Sequence, residues 1–352
     1  MNRKLICTIA SLNYFAQAKS LADSILKYNR NVDFFILIAD KVYDNSIKDK
    51  IESVESIKKV FYVEDLPIEN IVELEFKYDI VEFNTALKPF FLEYLLNRFD
   101  YDSVVYIDPD ILLFNNLKKL FELQKSNSII LTPHLLDNTK NDKQIIDFLS
   151  YGIFNLGFIS VKNDINGKRL LSWWKSILKD YCYLDLNRSL AWDQKWMDFA
   201  PALFDSVYIL KDPGYNFAYW NMNERVITKR RNAFYVNSKY KLTFVHFSHY
   251  RPQYKDKIAY IDDFELRYKI RVTSEITEIF QTYYDTLMKN GYENYSKLPY
   301  GFSCFDNGEP IQAAHRRLYG NLLRLNRHVG NPFETSSEDC FYNYSQKVFL
   351  NL

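Results

Sequence analysis

The N-terminal third of the chain alternates short, continuous apolar runs with amphipathic stretches of helical period, and few folds accept that pattern. Residues 5–10 form one apolar run, 32–39 a second and 60–63 a third. Between the first two, Ala18, Leu21, Ala22, Ile25 and Leu26 recur at helical spacing and predict a helix over 16–29. A further helical stretch, 85–98, carries Leu87, Phe91, Leu95 and Leu96 on one side and precedes a strand at 103–107. A strand without polar alternation needs cover on both faces. Such runs separated by helices therefore predict an α/β fold, with a mixed, mostly parallel sheet flanked by helices. In open sheets of this kind ligands bind at the carboxyl ends of the strands. Two stretches hold that position: Ser11-Leu12-Asn13-Tyr14, and Asp108-Pro109-Asp110.

Farther along, strands are predicted at 128–131 and 158–161, and Asn166-Gly167 reads as a turn before a helix carrying Trp173 and Trp174. Past residue 255 the character changes. A long amphipathic helix is predicted over 262–289, with Phe264, Ile270, Ile276, Phe280, Tyr283 and Leu287 buried. A Pro/Gly/Asn-rich stretch and a basic helix around 311–328 follow. We divide the chain into a sheet-bearing unit, 1–255, and a mainly helical C-terminal extension, 256–352.

Charge excludes one class of partner. Lys and Arg number 45 against 44 Asp and Glu, so the global basic field that drives nucleic-acid binding is missing. No apolar run reaches the length of a membrane-spanning helix, and the run at 5–10 reads as a core strand instead of a leader. Cys7, Cys182, Cys304 and Cys340 lack paired spacing, as expected of reduced cytosolic thiols and not of a zinc site. Aromatic residues make up 17% of the chain, which suits core packing first and sugar stacking second.

The acidic motif carries the sharpest chemistry. Residues i and i+2 of an extended segment point to one side, so Asp108 and Asp110 can reach one hard cation, Mg²⁺ or Mn²⁺. A cation there suits a diphosphate leaving group, whose negative charge grows as its bond breaks. The plainer alternative is a solvated Asp-Pro-Asp turn. Phosphotransferases of the haloacid-dehalogenase type also carry Asp-x-Asp after a strand, but place a hydroxyl residue two positions later, where this chain has Leu112.

Taken in order, these stretches resemble the family 8 glycosyltransferases over residues 4–252. Ala10-Ser11-Leu12-Asn13-Tyr14 looks like the family's opening nucleotide-binding turn, with Ser11 where the family usually has Asp. Thr85-Ala86-Leu87-Lys88-Pro89 resembles the helix that offers a basic residue, Lys88, to the donor. Asp108 and Asp110 match the metal motif. Phe154-Asn155-Leu156-Gly157-Phe158 is similar to the segment lining the donor-sugar pocket, which implies sugar contacts for Asn155 and close backbone approach at Gly157. Trp192-Asp193-Gln194 is similar to the family's Asp-Gln pair beside the anomeric carbon. The segment from His246 to Pro252 resembles His-Phe-x-Gly-x-x-Lys-Pro, one residue shorter, with His249 for Gly and Arg251 for Lys. The match implies that His246 is a third metal ligand and that Arg251 contacts the diphosphate. An imidazole beside two carboxylates suits Mn²⁺ somewhat better than Mg²⁺.

The resemblance implies a Rossmann-like GT-A fold and metal-dependent transfer of a sugar from a nucleoside-diphosphate donor to a carbohydrate acceptor. It further implies retention of anomeric configuration and a role in bacterial surface-polysaccharide assembly in the cytoplasm. The alternative is a catalytically inactive sugar- or nucleotide-binding module on the same fold. The stretch 212–221 has no counterpart in the family core, and Trp220 there reads either as a stacking platform or as core. Arg316, Arg317, Arg324, Arg327 and His328 make the tail helix basic. Two readings follow: peripheral contact with the inner membrane face, where a lipid-linked acceptor sits, or a packed helix with solvated arginines.

Overall fold

The computed structural model describes residues 3–137, 141–261, 268–327 and 329–350. Its centre is a seven-stranded sheet. The strands β1 (Lys4–Ala10), β2 (Val32–Ile38), β3 (Lys59–Tyr62), β4 (Ser103–Ile107), β5 (Ile111–Leu113), β6 (Ile129–Pro133) and β7 (Phe154–Lys162) are introduced in chain order, and all but β5 join it. With the edge strand Val207–Ile209, the order across the sheet is Val207–Ile209, β6, β7, β4, β1, β2, β3. Pairings β1–β2, β1–β4, β2–β3 and β6–Val207–Ile209 are parallel, while β7 runs antiparallel to both β4 and β6. The expected mixed, mostly parallel sheet is therefore present.

Period-two alternation explains why these strands carry no polar face. Leu5, Cys7 and Ile9 of β1 enter one core, and Ile6 and Ala10 the other. Likewise Val104 and Tyr106 of β4 face the first core, and Val105 and Ile107 the second. Burying each such side chain contributes about 1.5–3 kcal/mol. Helices Lys88–Arg98 and Ile165–Tyr181 cover the first face, and helix Phe15–Tyr28 the second. No helix among the described residues is long and apolar enough to cross a membrane.

Three expectations are corrected. The helix predicted over 85–98 is two, Ile80–Ala86 and Lys88–Arg98. The first is set by Asp79, whose carboxylate caps the amides of Val81 and Glu82. Asn166-Gly167 is no turn but the first turn of helix Ile165–Tyr181, capped by Asp164 on the Gly167 amide. A Cβ on Gly167 would lie 2.0 Å from the Lys162 carbonyl oxygen, so tight packing explains that glycine. The long helix begins only at Ser274, behind a Thr273 cap, and runs to Lys289. Ile270 lies ahead of it, and Phe264 lies outside the described residues.

The C-terminal extension has no core of its own among the described residues. Phe302, Phe305, Phe333 and Phe341 enter the same cluster as Phe76 and Phe83. The Asn290 amide donates to Ser20 Oγ at 3.0 Å and Asp23 Oδ2 at 3.1 Å on helix Phe15–Tyr28. Buried Asp40, just past β2, accepts the backbone N–H groups of Leu12, Lys41 and Gly301 at 3.1, 2.9 and 2.7 Å. That carboxylate ties the extension to the turn that follows β1.

Candidate functional site

Asp108 follows the last residue of β4, and Asp110 precedes β5. Strand Phe244–His246 pairs antiparallel with β5, with His246 opposite Ile111. The Phe247 amide then donates to the Asp110 carbonyl at 2.9 Å. This ladder brings a residue 136 positions away beside the acidic motif, since 246 − 110 = 136. His246 Nε2 lies 3.1 Å from Asp110 Oδ1 and 3.9 Å from Asp108 Oδ2. One ligand atom from each of the three residues falls within 4.8 Å of the others, a spacing that can hold a metal ion.

The imidazole is held from behind. His246 Nδ1 donates to Asn155 Oδ1 at 3.1 Å, which turns Nε2 toward the carboxylates. Asn216 Nδ2 donates to the same Asn155 oxygen at 3.2 Å and to Thr132 Oγ1 at 3.2 Å. Asn155 Nδ2 donates to His134 Nε2 at 3.4 Å, and His134 Nδ1 donates to the Ile153 carbonyl at 3.2 Å. Burial holds the His134 pKa down to about 3, so it is neutral and can accept that bond. Gly157 completes the cradle: a Cβ there would lie 2.5 Å from His246 Cε1 and 2.8 Å from Nδ1. The approach that Gly157 permits is therefore that of His246.

Charge in the cluster is balanced by buried groups. Burial disfavours the charged imidazole of His246, but Asp110 outweighs this and raises its pKa. Burial likewise pushes Asp110 up, and His246 more than reverses it. Lys88 bridges the two halves of the site, 2.9 Å from Asp193 Oδ2 and 3.4 Å from Asp108 Oδ1, while donating to the Leu156 carbonyl at 2.9 Å. Its ammonium also lies over the Tyr106 ring, whose hydroxyl donates to Asp108 Oδ1 at 2.7 Å. Burial would lower the Lys88 pKa, but Asp108 and Asp193 raise it, so the cation is secure. Two oxygens and one oriented imidazole nitrogen make a donor set that suits Mn²⁺ or Mg²⁺.

The other residues singled out in the sequence divide between the buried cluster and the surface. Lys88, expected to meet the donor, is 2% exposed and paired with two carboxylates. The Asn155 oxygen is spent on His246 and Asn216, leaving it no free acceptor for a sugar hydroxyl. Trp220 is 3% exposed and stands edge-on to His134 and His246, each 5.3 Å between ring centres; it is a wall and not an open stacking platform. Asp193 follows Trp192, which adopts φ 49°, an unusual conformation for a bulky residue. Gln194 donates from Nε2 to the Tyr151 carbonyl at 3.0 Å. At the mouth, Tyr14 is 42% exposed, and Ser11 Oγ donates to Asn13 Oδ1 at 2.6 Å. Arg251 is exposed and lies 4.2 Å over the Tyr260 ring. His249, where the resembled family has Gly, holds φ 60°, in the left-handed region that favours glycine.

His134, Asn216 and Tyr106 escaped the sequence reading. His134 gave one available signal, a polar residue directly after an apolar strand. Asn216 gave a general one, its place in a stretch whose Gly, Asn and aromatics suit a loop near a sugar site; its position depends on Arg225, which gathers the carbonyls of Pro213, Tyr215 and Asn216 at 3.3, 2.8 and 3.2 Å.

No protein-family model matches the chain. It is 29% identical over 250 residues to the uncharacterized protein YfnF of Bacillus subtilis (strain 168), covering 70% of this chain and 81% of that one. A second protein of that organism, the uncharacterized YfnD, is 26% identical over 174 residues, 47% of this chain and 53% of the other. Among solved structures it is similar to the galactosyltransferase LgtC in complex with donor and acceptor sugar analogues, at 16% identity and a TM-score of 0.48, covering 78% of this chain and 99% of that one. It is also similar to the glycosyltransferase GlyE of Streptococcus pneumoniae TIGR4, at 13% identity and a TM-score of 0.46, covering 87% and 67%.

Proposed function

We propose that the chain is a metal-dependent glycosyltransferase that moves a hexosyl group from a nucleoside-diphosphate sugar to a carbohydrate acceptor. One observation carries this reading: Asp108, Asp110 and an imidazole of fixed orientation converge at the carboxyl end of a mostly parallel sheet. Asp108, Asp110 and His246 would hold a divalent cation, which supplies Lewis-acid stabilisation of the diphosphate as it departs. Arg251 at the mouth adds a second positive charge for the same phosphates. Ser11, Asn13 and Tyr14, in the turn after β1, receive the nucleoside; Tyr14 is exposed there, Asn13 half-buried and Ser11 buried.

Asp193, the further carboxylate described beside the cluster, is tied to Lys88 and presents no free base. A reaction that retains anomeric configuration needs none, because the leaving phosphate can accept the acceptor's proton. We infer retention from the resemblance stated above, with which the pairing of Asp193 is compatible. The resemblance stated above extends the reading to surface-polysaccharide assembly on the cytoplasmic side, with a lipid-linked acceptor. Peripheral membrane contact through the tail arginines is not carried forward. Arg316 is buried, Arg317 pairs with Glu82, and His328 lies outside the described residues.

The test is turnover of a panel of nucleotide sugars with Mn²⁺ or with EDTA, analysing the anomeric product by NMR. Metal-dependent transfer or hydrolysis of one donor, lost in Asp110→Ala, is expected. No turnover with any donor would favour an inactive binding module, and a protein side chain as native acceptor would overturn the polysaccharide assignment.

A further inference from the structure

A polar cavity of about 560 Å³ shares no lining residue with the Asp108–Asp110–His246 cluster. Its walls are the helix Ala313–Arg324, the end of helix Ile71–Lys77, and a short hairpin in which Leu184 pairs with Ala191. Lys77, Arg188, Arg316, Arg317 and Arg324 line it, against two acids, Asp180 and Asp185. Lys77 pairs with Asp180 at 3.2 Å, and Arg317 with Glu82. Among the described residues, no carboxylate lies within 4.0 Å of Arg188, Arg316 or Arg324.

Arg316 makes this more than a basic surface. It is 5% exposed, yet its partners are all neutral: the carbonyls of Phe76 and Tyr78 at 2.6 Å, Phe302 at 2.7 Å and Glu75 at 3.4 Å. Carbonyl dipoles satisfy the guanidinium's N–H groups, and Asp79 and Glu82 act on its positive charge only through space, with no direct ion pair. Arg188 and Arg324 stand exposed at the opening. Arg188 donates to the Tyr183 hydroxyl at 2.8 Å, and Arg324 to Asn321 Oδ1. Guanidinium groups so placed match the planar oxygen pairs of carboxylates and phosphates.

We propose that this cavity is an anion-binding site, separate from the Asp108–Asp110–His246 centre, for a phosphate monoester or a carboxylate. The site does not depend on the transfer reaction proposed above. It has a route to it nonetheless: the hairpin that walls the cavity continues into Trp192 and Asp193, and the Trp192 amide donates to the Tyr183 carbonyl at 3.3 Å. An anionic group on an extended ligand would therefore rest against the element that presents Asp193 to Lys88.

The test is calorimetric titration of the full chain with inorganic phosphate and, separately, with glucuronate, in EDTA so that no metal-assisted phosphate binding occurs at the carboxylate centre. Wild type, Asp110→Ala and Arg188→Ala/Arg324→Ala are compared at low and high NaCl. Saturable binding of at least one anion is expected, equal in Asp110→Ala, weakened tenfold or more in the double variant and weakened by salt. Preference for phosphate or for glucuronate identifies the ligand's charged group. Binding of neither anion, binding unchanged in the double variant, or binding lost in Asp110→Ala would each overturn the proposal. Arg324→Gln alone supplies the same comparison if the double variant does not fold.

Discussion

Gly157→Ala adds one methyl group in the middle of β7, and the structure says where the strain must go. The new carbon would lie 2.5 Å from His246 Cε1, 2.8 Å from Nδ1 and 2.9 Å from Asn155 Oδ1. Ordinary carbon contacts lie near 3.5–4.0 Å, so an overlap of about 1 Å must be relieved. β7 cannot retreat easily. Its Gly157 carbonyl accepts the Asp108 amide at 2.8 Å, and the flanking residues are paired, Phe158 with Ile107 of β4 and Ile159 and Phe154 with β6 across an irregularity in register. The backbone of Gly157 has an ordinary φ, so the substitution costs nothing there; the whole effect is steric. His246 is the group that gives way, losing its bond to Asn155 and its aim at the carboxylates. Overpacking of this size costs about 1–3 kcal/mol of stability. Metal affinity, which tolerates about 0.2 Å of ligand displacement, should fall about 10- to 100-fold. Mn²⁺ titration by electron paramagnetic resonance, with circular dichroism to verify folding, measures both. Wild-type Mn²⁺ affinity in a folded Gly157→Ala protein would refute the cradle, and so would an unchanged melting temperature.

Three further outcomes are expected. Lys88→Met leaves Asp193 buried without its cation, and loss of one partner of a buried pair should cost about 3–5 kcal/mol in chemical denaturation. His134 is neutral in the fold, with its pKa depressed to about 3 from the 6.5 of an unfolded chain. Its contribution is complete above pH 6.5 and is lost as pH falls from there toward 3. Wild type should therefore lose about 1.4 kcal/mol per pH unit relative to His134→Gln in that window; parallel stability curves would refute this. Arg316→Met removes the donor to four carbonyls, three at the end of helix Ile71–Lys77 and that of Phe302 in the extension. It should lower the unfolding free energy by about 2–4 kcal/mol, and an unchanged denaturation midpoint would contradict the account.

Much of the frame was readable because it obeys local periods. The apolar runs at 5–10, 32–39 and 103–107 are strands with both faces buried, as continuous runs require. Asp108 and Asp110 were legible because a motif at a strand end needs no knowledge of the rest of the fold. His246 was reached through its likeness to a known segment, and the ladder with β5 supplies the physical reason for its place. The misreadings share one cause, tertiary contact over long separations. Asn155 and His246 are 91 residues apart, and nothing in either neighbourhood announces that one will orient the other. Gly167 looked like a turn because the carbonyl that forbids a side chain there belongs to the preceding strand, not to the helix. The contacts of the extension with the first unit, through Asp40, Arg316 and the phenylalanines of the tail, are equally distant in sequence.

The central claim is that the Asp108–Asp110–His246 centre binds a divalent cation together with a nucleoside diphosphate. Melting temperature tests it most directly, measured for wild type and Asp110→Ala against nucleoside diphosphates and nucleotide sugars, with Mn²⁺ or EDTA. A ligand that binds only the folded state raises the melting point in proportion to RT ln(1 + [L]/Kd). The account predicts a shift with one nucleotide that requires Mn²⁺ and disappears in Asp110→Ala. No shift with any nucleotide, or a shift that persists in EDTA and in Asp110→Ala, would contradict it.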